Sequence, residues 1–199
     1  EYPYKRKCIR SAILLKTFRF YDGFVAISQE LESCALKYKR KNASVIRIPI
    51  LIDNAHPIKE KYNHSRPYIF HGGTLYEHKD AIISTMTAFA KANEVLRGRV
   101  DFIIAGPPSS DLPKLKKIVE DNGLEDNIKF LGPLPHNEII LYQNGASLSI
   151  LNKNDNLQNR CGFSTKLGEI MFACTPVITT TVGAVSYTHL RAHETVLDL

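Results

Sequence analysis

Two short stretches of the chain carry residue types whose spacing suits chemistry on an anion. The first is His71-Gly72-Gly73-Thr74, followed by Lys79. Paired glycines let a backbone approach a bound anion closely, and the start of a helix just beyond offers free N–H groups. Lys79, near that helix start, supplies a positive charge suited to a diphosphate. The same residues also read as two turn glycines and a surface lysine. The second stretch is Phe163-Ser164-Thr165-Lys166-Leu167-Gly168-Glu169. Ser164 or Thr165 suits a helix cap, leaving free N–H groups and the positive end of the helix dipole facing outward. Lys166 adds charge there, and Glu169, one turn further in, suits two hydrogen bonds to a sugar diol. The alternative is a helix-start acid paired with Lys166 at i, i+3, worth about 0.2–0.5 kcal/mol.

Other chemistries find less support. Neither Gly-x-Gly-x-x-Gly nor Gly-x-x-x-x-Gly-Lys-Ser/Thr occurs, which counts against a dinucleotide dehydrogenase and a P-loop NTPase. Cys8, Cys34, Cys161 and Cys174 include no Cys-x-x-Cys pair, so neither a zinc ribbon nor a disulfide framework is expected, and a reducing compartment is. His189, His193 and Glu194 are spaced unlike the His-Glu-x-x-His metalloprotease pattern. No metal site is expected.

The elements that must hold these residues follow from hydrophobic patterning. Phe24 to Ile27 and Phe102 to Ala105 are short apolar runs, the mark of strands buried on both faces, and Ile128 to Leu131 and Leu148 to Leu151 also read as strands. Val45 to Ile48, Tyr68 to Phe70 and Pro176 to Thr179 read as further strands. Between them lie helical patterns. Ser28 caps a helix with Leu31, Cys34, Ala35 and Tyr38 inward. A second runs from about Asp80 to Leu96 and stops at Gly98, and a third is capped by Asp111 and ends at Gly123. His136 to Gln143 and Ser164 to Cys174 are the last two. Strands alternating with helices mean right-handed βαβ units, hence an α/β fold with a Rossmann-like parallel sheet and helices on both faces. Ligands of such sheets bind beyond the carboxyl ends of the strands, where both candidate stretches fall. The polar stretch from Lys59 to Arg66 reads as an inter-domain hinge.

The 199 residues are 44% hydrophobic and 23% charged, which excludes a disordered or fibrous chain. No apolar stretch approaches the ~18 residues of a membrane span. The net charge of +6 is scattered over Lys5-Arg6-Lys7, Lys37 to Lys41 and Lys114 to Lys117. These read first as solvated helix faces, with no nucleic acid partner; attraction to an anionic small molecule or to an acidic membrane surface is a milder reading. The chain begins Glu1-Tyr2-Pro3, which reads as a cut. Residues 185–199 resemble a translated sequencing-adapter tail and are expected to be non-native.

Six pieces in order resemble family-4 retaining glycosyltransferases of the GT-B fold: FVAIS at 24–28, IPILID at 48–53, GGTLYEHKD at 72–80, IIAGP at 103–107, NIKFLGPLP at 127–135 and FSTKLGEIMFACTPVITT at 163–180. The resemblance spans about residues 20–184. It implies that residues 1–57 are the last elements of an acceptor domain and the crossover, and that 58–184 form an incomplete nucleotide-sugar donor domain. It implies transfer of a sugar from a nucleoside-diphosphate sugar to an acceptor hydroxyl, with no cofactor beyond that donor. Gly72, Gly73, Lys79, Ser164, Thr165 and Lys166 would face the donor diphosphate, Glu169 the ribose and Leu134 the base. The acceptor would be a saccharide or lipid-linked, and the location cytoplasmic, at the inner membrane face. Catalytic residues of the acceptor domain are not identified, and the chain alone is expected to bind a nucleotide weakly without turnover.

The departures from that family are specific. Cys161 stands where the first glutamate of the Glu, seven residues, Glu motif would fall. Thr74 or Leu75 occupies the place of a first-loop arginine. Thr175 stands in for a turn glycine. An epimerase acting on a nucleotide sugar and a non-catalytic nucleotide-binding α/β module are the rival readings.

Overall fold

The computed structural model describes residues 13–48 and 60–183. They group into two compact units, residues 13–48 with 160–163 and 183, and residues 60–159 with 164–182. Lys5-Arg6-Lys7, most of IPILID and the whole segment 185–199, with His189, His193 and Glu194, lie outside the described residues.

The smaller unit holds β1 (Gly23–Ala26), α1 (Gln29–Tyr38) and β2 (Ser44–Arg47), with the strands parallel in register Gly23 to Ser44 through Ala26 to Arg47. Ser28 caps α1 as its sequence requires: its Oγ accepts from Leu31 N at 3.2 Å and donates to the Cys161 carbonyl at 2.8 Å. Ala26, Ser28, Ala35 and Ala43 are buried.

The larger unit is built on β3 (Tyr68–Gly72), β4 (Asp101–Ala105), β5 (Ile128–Gly132), β6 (Leu148–Leu151) and β7 (Val177–Thr179). All pair in parallel, in the order β5-β4-β3-β6-β7. Every residue of β4 is buried, which is why its sequence is a continuous apolar run rather than an alternation. Its side chains still divide by face. Phe102 and Ile104 pack with Leu75, Ile82, Met86, Phe89, Leu115 and Val119, beneath α3 (Ile82–Leu96) and α4 (Leu112–Asp121). Ile103 and Ala105 join Tyr68 and Phe70 on the other face, against Ile139 and Tyr142 of α5 (His136–Gly145). Helices therefore cover both faces, the α/β architecture that the patterning predicts.

Several local expectations need correction. The helix expected from Asp80 is interrupted: α2 (Glu77–Asp80) is a single turn, Ala81 adopts the left-handed conformation at φ 44°, and α3 begins only at Ile82. That helix ends at Arg97, also left-handed at φ 53°, one residue before Gly98. Asp111 sits at the start of α4 but makes no cap bond, because its carboxylate accepts from Glu77 N at 3.1 Å and pairs with Lys114. In the turn after α7 (Thr165–Phe172) the glycine-favouring backbone falls on Cys174, at φ 54°; Thr175 is buried and donates to the Gln143 carbonyl at 2.8 Å. A short helix, α6 (Leu157–Cys161), interrupts what the sequence presents as loop.

The stretch read as a hinge is fastened over its described part. Tyr62 N donates to the Leu141 carbonyl at 3.0 Å. Asp101, fully buried at the start of β4, takes Arg66 Nη2 at 2.9 Å, His64 Nε2 at 2.5 Å and Asn127 Nδ2 at 3.2 Å. A buried carboxylate persists only with such partners. Phe102→Ala, which empties the fully buried centre of this core, should lower unfolding stability by ~3–5 kcal/mol in urea titrations. A loss under about 1 kcal/mol would show that Phe102 does not hold the two layers together.

Candidate functional site

The strand order reverses between β3 and β6, since the chain leaves β3 toward β4 and β5 and then crosses back. Open parallel sheets part their loops at such a point and form their ligand crevice there. Three segments of the larger unit meet: residues 73–76 after β3 with the turn of α2, residues 152–159 after β6, and the start of α7.

Their centre is Asp80, whose side chain is fully buried. Lys153 pairs with its Oδ1, Lys166 Nζ lies 3.2 Å from its Oδ2, and Thr74 Oγ1 donates to the same oxygen. Burial opposes the ionisation of Asp80. The attraction of Lys166 and the bonds from Lys153 and Thr74 outweigh it and hold the carboxyl well below the ordinary carboxylate range. Lys166 feels the converse. Burial pushes its ammonium below the ordinary lysine range, Asp80 opposes that shift, and the charges of Lys153 and Lys79 reinforce it.

His71, on β3, is 3% exposed. Its Nδ1 lies 3.4 Å from the Ile150 carbonyl, and its Nε2 has no hydrogen-bond partner among the described residues. Burial and the charge of Lys166 lower its pKa to about 4, so the ring is neutral at pH 7.

The loop after β6 is tied to α2 through its backbone. Asn154 Nδ2 donates to the Glu77 carbonyl at 2.5 Å, Asn156 Nδ2 to that of His78 at 2.7 Å, and Asn159 Nδ2 to that of Lys79 at 3.1 Å. The His78 and Lys79 carbonyls are ones that a single helical turn leaves unsatisfied, whereas that of Glu77 also accepts from Ala81 N at 3.0 Å. Glu77 in turn accepts from Ile83 N at 2.7 Å and Ser84 N at 3.3 Å, covering the free N–H groups of α3.

The structure brings Gly73, Lys79 and Lys166 to this cluster. Gly73 lies under the Lys166 ammonium: a Cβ at residue 73 would stand 1.7 Å from Lys166 Nζ and would displace it. Gly106 serves the same loop, since a Cβ on it would stand 1.7 Å from the Gly73 carbonyl oxygen. Gly72 closes β3 beside the Phe70 ring. Lys166 directs its ammonium to Asp80, not to Glu169 as the local pairing would have it. Ser164 precedes α7 without a side-chain cap bond, Thr165 is exposed, and Glu169 is half-buried within α7. Leu134 packs against the cluster of Tyr68, Phe70, Ile103 and Ala105. Sequence reasoning gave no site role to Asp80, Lys153, His71 or the asparagines. The run Asn152-Lys153-Asn154-Asp155-Asn156, with Asn159 beyond, was the available signal for the last.

The pattern of Glycosyl transferases group 1 matches residues 53–190, more than half of the chain. The chain belongs to this glycosyltransferase family. Solved structures agree on the fold. Anabaena HepE in complex with UDP and glucose matches at TM-score 0.67 and 19% identity, over 89% of this chain and 49% of that one. Sucrose-phosphate synthase from Thermosynechococcus elongatus matches at 0.66 and 16%, over 90% and 45%. A variant of S. aureus TarM in complex with fondaparinux, alpha-GlcNAc-glycerol and UDP matches at 0.64 and 15%, over 86% and 32%. No curated protein matches the sequence. The chain thus spans between about a third and a half of the length of these glycosyltransferases of GT-B type. Among the described residues, no helix is long and apolar enough to cross a membrane, and no group of three His, Cys, Asp or Glu side chains is placed to hold a metal ion.

The buried imidazole predicts a pH dependence of stability. The folded chain keeps His71 neutral down to about pH 4, while the unfolded ring protonates near 6.5. Its contribution is therefore intact above 6.5 and lost as pH falls from there to about 4. Asp80, held low, adds a loss only below its ordinary 3.8. From pH 7 to pH 5 the unfolding free energy should fall by ~2 kcal/mol in urea, a slope that His71→Gln should flatten. An identical slope in the variant would assign the dependence to other groups.

Proposed function

We propose that the chain is the donor-binding part of a retaining glycosyltransferase of the family-4 type, which moves a sugar from a nucleoside-diphosphate sugar to an acceptor hydroxyl. The observation that carries the reading is the set of lysines gathered around buried Asp80 at the switch point, beside the start of α7. In this reading residues 58–184 hold the donor and 1–57 end the acceptor domain. Gly72, Gly73, Lys79, Lys166 and the backbone amides at Ser164 and Thr165 receive the diphosphate. Glu169 accepts the ribose hydroxyls, and Leu134 packs against the base.

The chemistry asks for what these groups supply. The bond between the anomeric carbon and the diphosphate oxygen breaks, and its electron pair leaves with the diphosphate. The acceptor oxygen then bonds to the anomeric carbon on the face that the diphosphate left, and its proton is released. Lysine ammoniums and helix amides strengthen their hold as the leaving oxygen gains charge, which is where stabilisation accelerates a reaction. UDP in the HepE and TarM complexes makes it the first nucleotide to test. The acceptor in this reading is a saccharide or a lipid-linked saccharide, met at the inner membrane face by a cytoplasmic protein.

A non-catalytic nucleotide-binding role has one observation in its favour. Burial pushes the Cys161 thiol above its ordinary range, so at neutral pH it lacks the charge of the glutamate that the family resemblance places there.

Calorimetric titration of the chain with UDP, GDP and ADP tests the donor reading. One nucleotide should bind saturably, and Glu169→Ala should weaken that binding by ~1–3 kcal/mol, the range for a hydrogen bond to a charged group. Unchanged affinity in a folded variant would remove Glu169 from the site. Binding without transfer by the full-length parent would favour the non-catalytic role.

A further inference from the structure

Lys153 has no part in the reading above, yet it is the more deeply set of the two lysines on Asp80. Its side chain is 13% exposed, against 27% for Lys166. Its backbone is fixed independently of that pair. Lys153 N donates to Thr180 Oγ1 at 2.9 Å, and the same hydroxyl donates back to the Lys153 carbonyl at 3.1 Å. The end of β6 thus presents an ammonium from a rigid base, with three N–H donors of which one suffices for Asp80.

The charge count is what a purely structural ion pair leaves unexplained. One lysine neutralises one buried carboxylate. Here Lys153 and Lys166 share Asp80, Lys79 stands within electrostatic reach, and each of the other two charges pushes the Lys166 ammonium down. A second buried lysine adds desolvation and like-charge repulsion, both of which oppose folding. His71, neutral and buried with an unpartnered Nε2, offers no negative charge to relieve them. Lys153 and Lys166 together carry one positive charge more than the carboxylate they share, and the charge of Lys79 bears on Lys166 as well. An anionic ligand relieves that surplus.

We propose that Lys153 is a diphosphate-binding residue, and that Asp80 is the positioning residue that sets the Lys153 and Lys166 ammoniums side by side to meet the two phosphoryl groups of a nucleoside diphosphate. The inference rests on the donor reading and adds a residue and a selectivity to it. A monophosphate engages one ammonium, whereas a diphosphate engages both, so Lys153 sets the preference for two phosphoryl groups over one.

The test is calorimetry on the full chain with UDP, GDP and ADP, the matching monophosphates and inorganic pyrophosphate. In Lys153→Gln, affinity for the diphosphate should fall about tenfold, the equivalent of one charge-assisted hydrogen bond, while the monophosphate changes by less than about twofold. Lys153→Arg should keep most of the diphosphate affinity. An unchanged ratio of diphosphate to monophosphate affinity, or an equal loss for both, would overturn the assignment and leave Lys153 a structural partner of Asp80. Acetic anhydride labelling of the unaltered chain gives a readout that does not depend on the variant folding. Pyrophosphate should protect Lys153 along with Lys166, and labelling of Lys153 at the free rate would equally overturn the proposal. A chain that takes up pyrophosphate but no nucleotide would refute the donor reading, with Lys153 still decided by the pyrophosphate arms. A chain that takes up neither refutes both.

Discussion

A carboxylate without access to water governs the upper end of this sheet. Removing such a charge from solvent costs several kcal/mol unless partners replace its hydration. Asp80 has three: two ammoniums and the Thr74 hydroxyl. The surrounding features follow from holding them in place. The Lys166 ammonium lies where a Cβ on Gly73 would displace it, and Gly106 lacks a side chain because the Gly73 carbonyl lies against it. The chain turns sharply at left-handed Ala81, directly after the carboxylate, so that α2 and α3 are separate helices. A left-handed alanine is unfavourable by about 1–2 kcal/mol, which the buried ionic cluster and the packing of Ala81 itself offset.

The two ends of the sheet treat buried charge differently. At the amino end of β4, Asp101 meets one arginine, a histidine and an asparagine amide, and the Arg66 guanidinium also binds the Gly98 and Asp126 carbonyls. Every partner there is used internally, which is the economy of an anchor. At the carboxyl end of β3 and β6, lysines outnumber the carboxylate and an imidazole nitrogen lacks a partner. The first arrangement is electrostatically closed. The second leaves a surplus of lysines over the carboxylate they share, and it lies where parallel sheets bind ligands.

Much of the fold was legible because burial writes itself into local patterns. The continuous apolar run of β4, the stripe of α1 and its serine cap each reflect a contact made within a few residues or against a uniform apolar layer. The site was legible only in part, for the opposite reason. Lys166 stood out through its neighbours in sequence, but its partner lies eighty-six positions away, and spacing along α7 pointed instead to Glu169. Asp80 looked like a polar residue at a helix start, since nothing local distinguishes a solvated carboxylate from a caged one. The break at Ala81 was invisible because alanine is the strongest helix former. Cys174 shows the same limit: a left-handed turn residue without glycine gives no signal in sequence.

The asparagine clamp reads α2 by its carbonyls alone. Asn156 and Asn159 hold the backbone at His78 and Lys79 and leave those two side chains out of the bond. The identity of residues 78 and 79 is thereby uncoupled from the geometry of the loop that carries them. An arginine or a neutral residue in place of Lys79 would change the charge at the end of the sheet without removing the bonds that hold the turn.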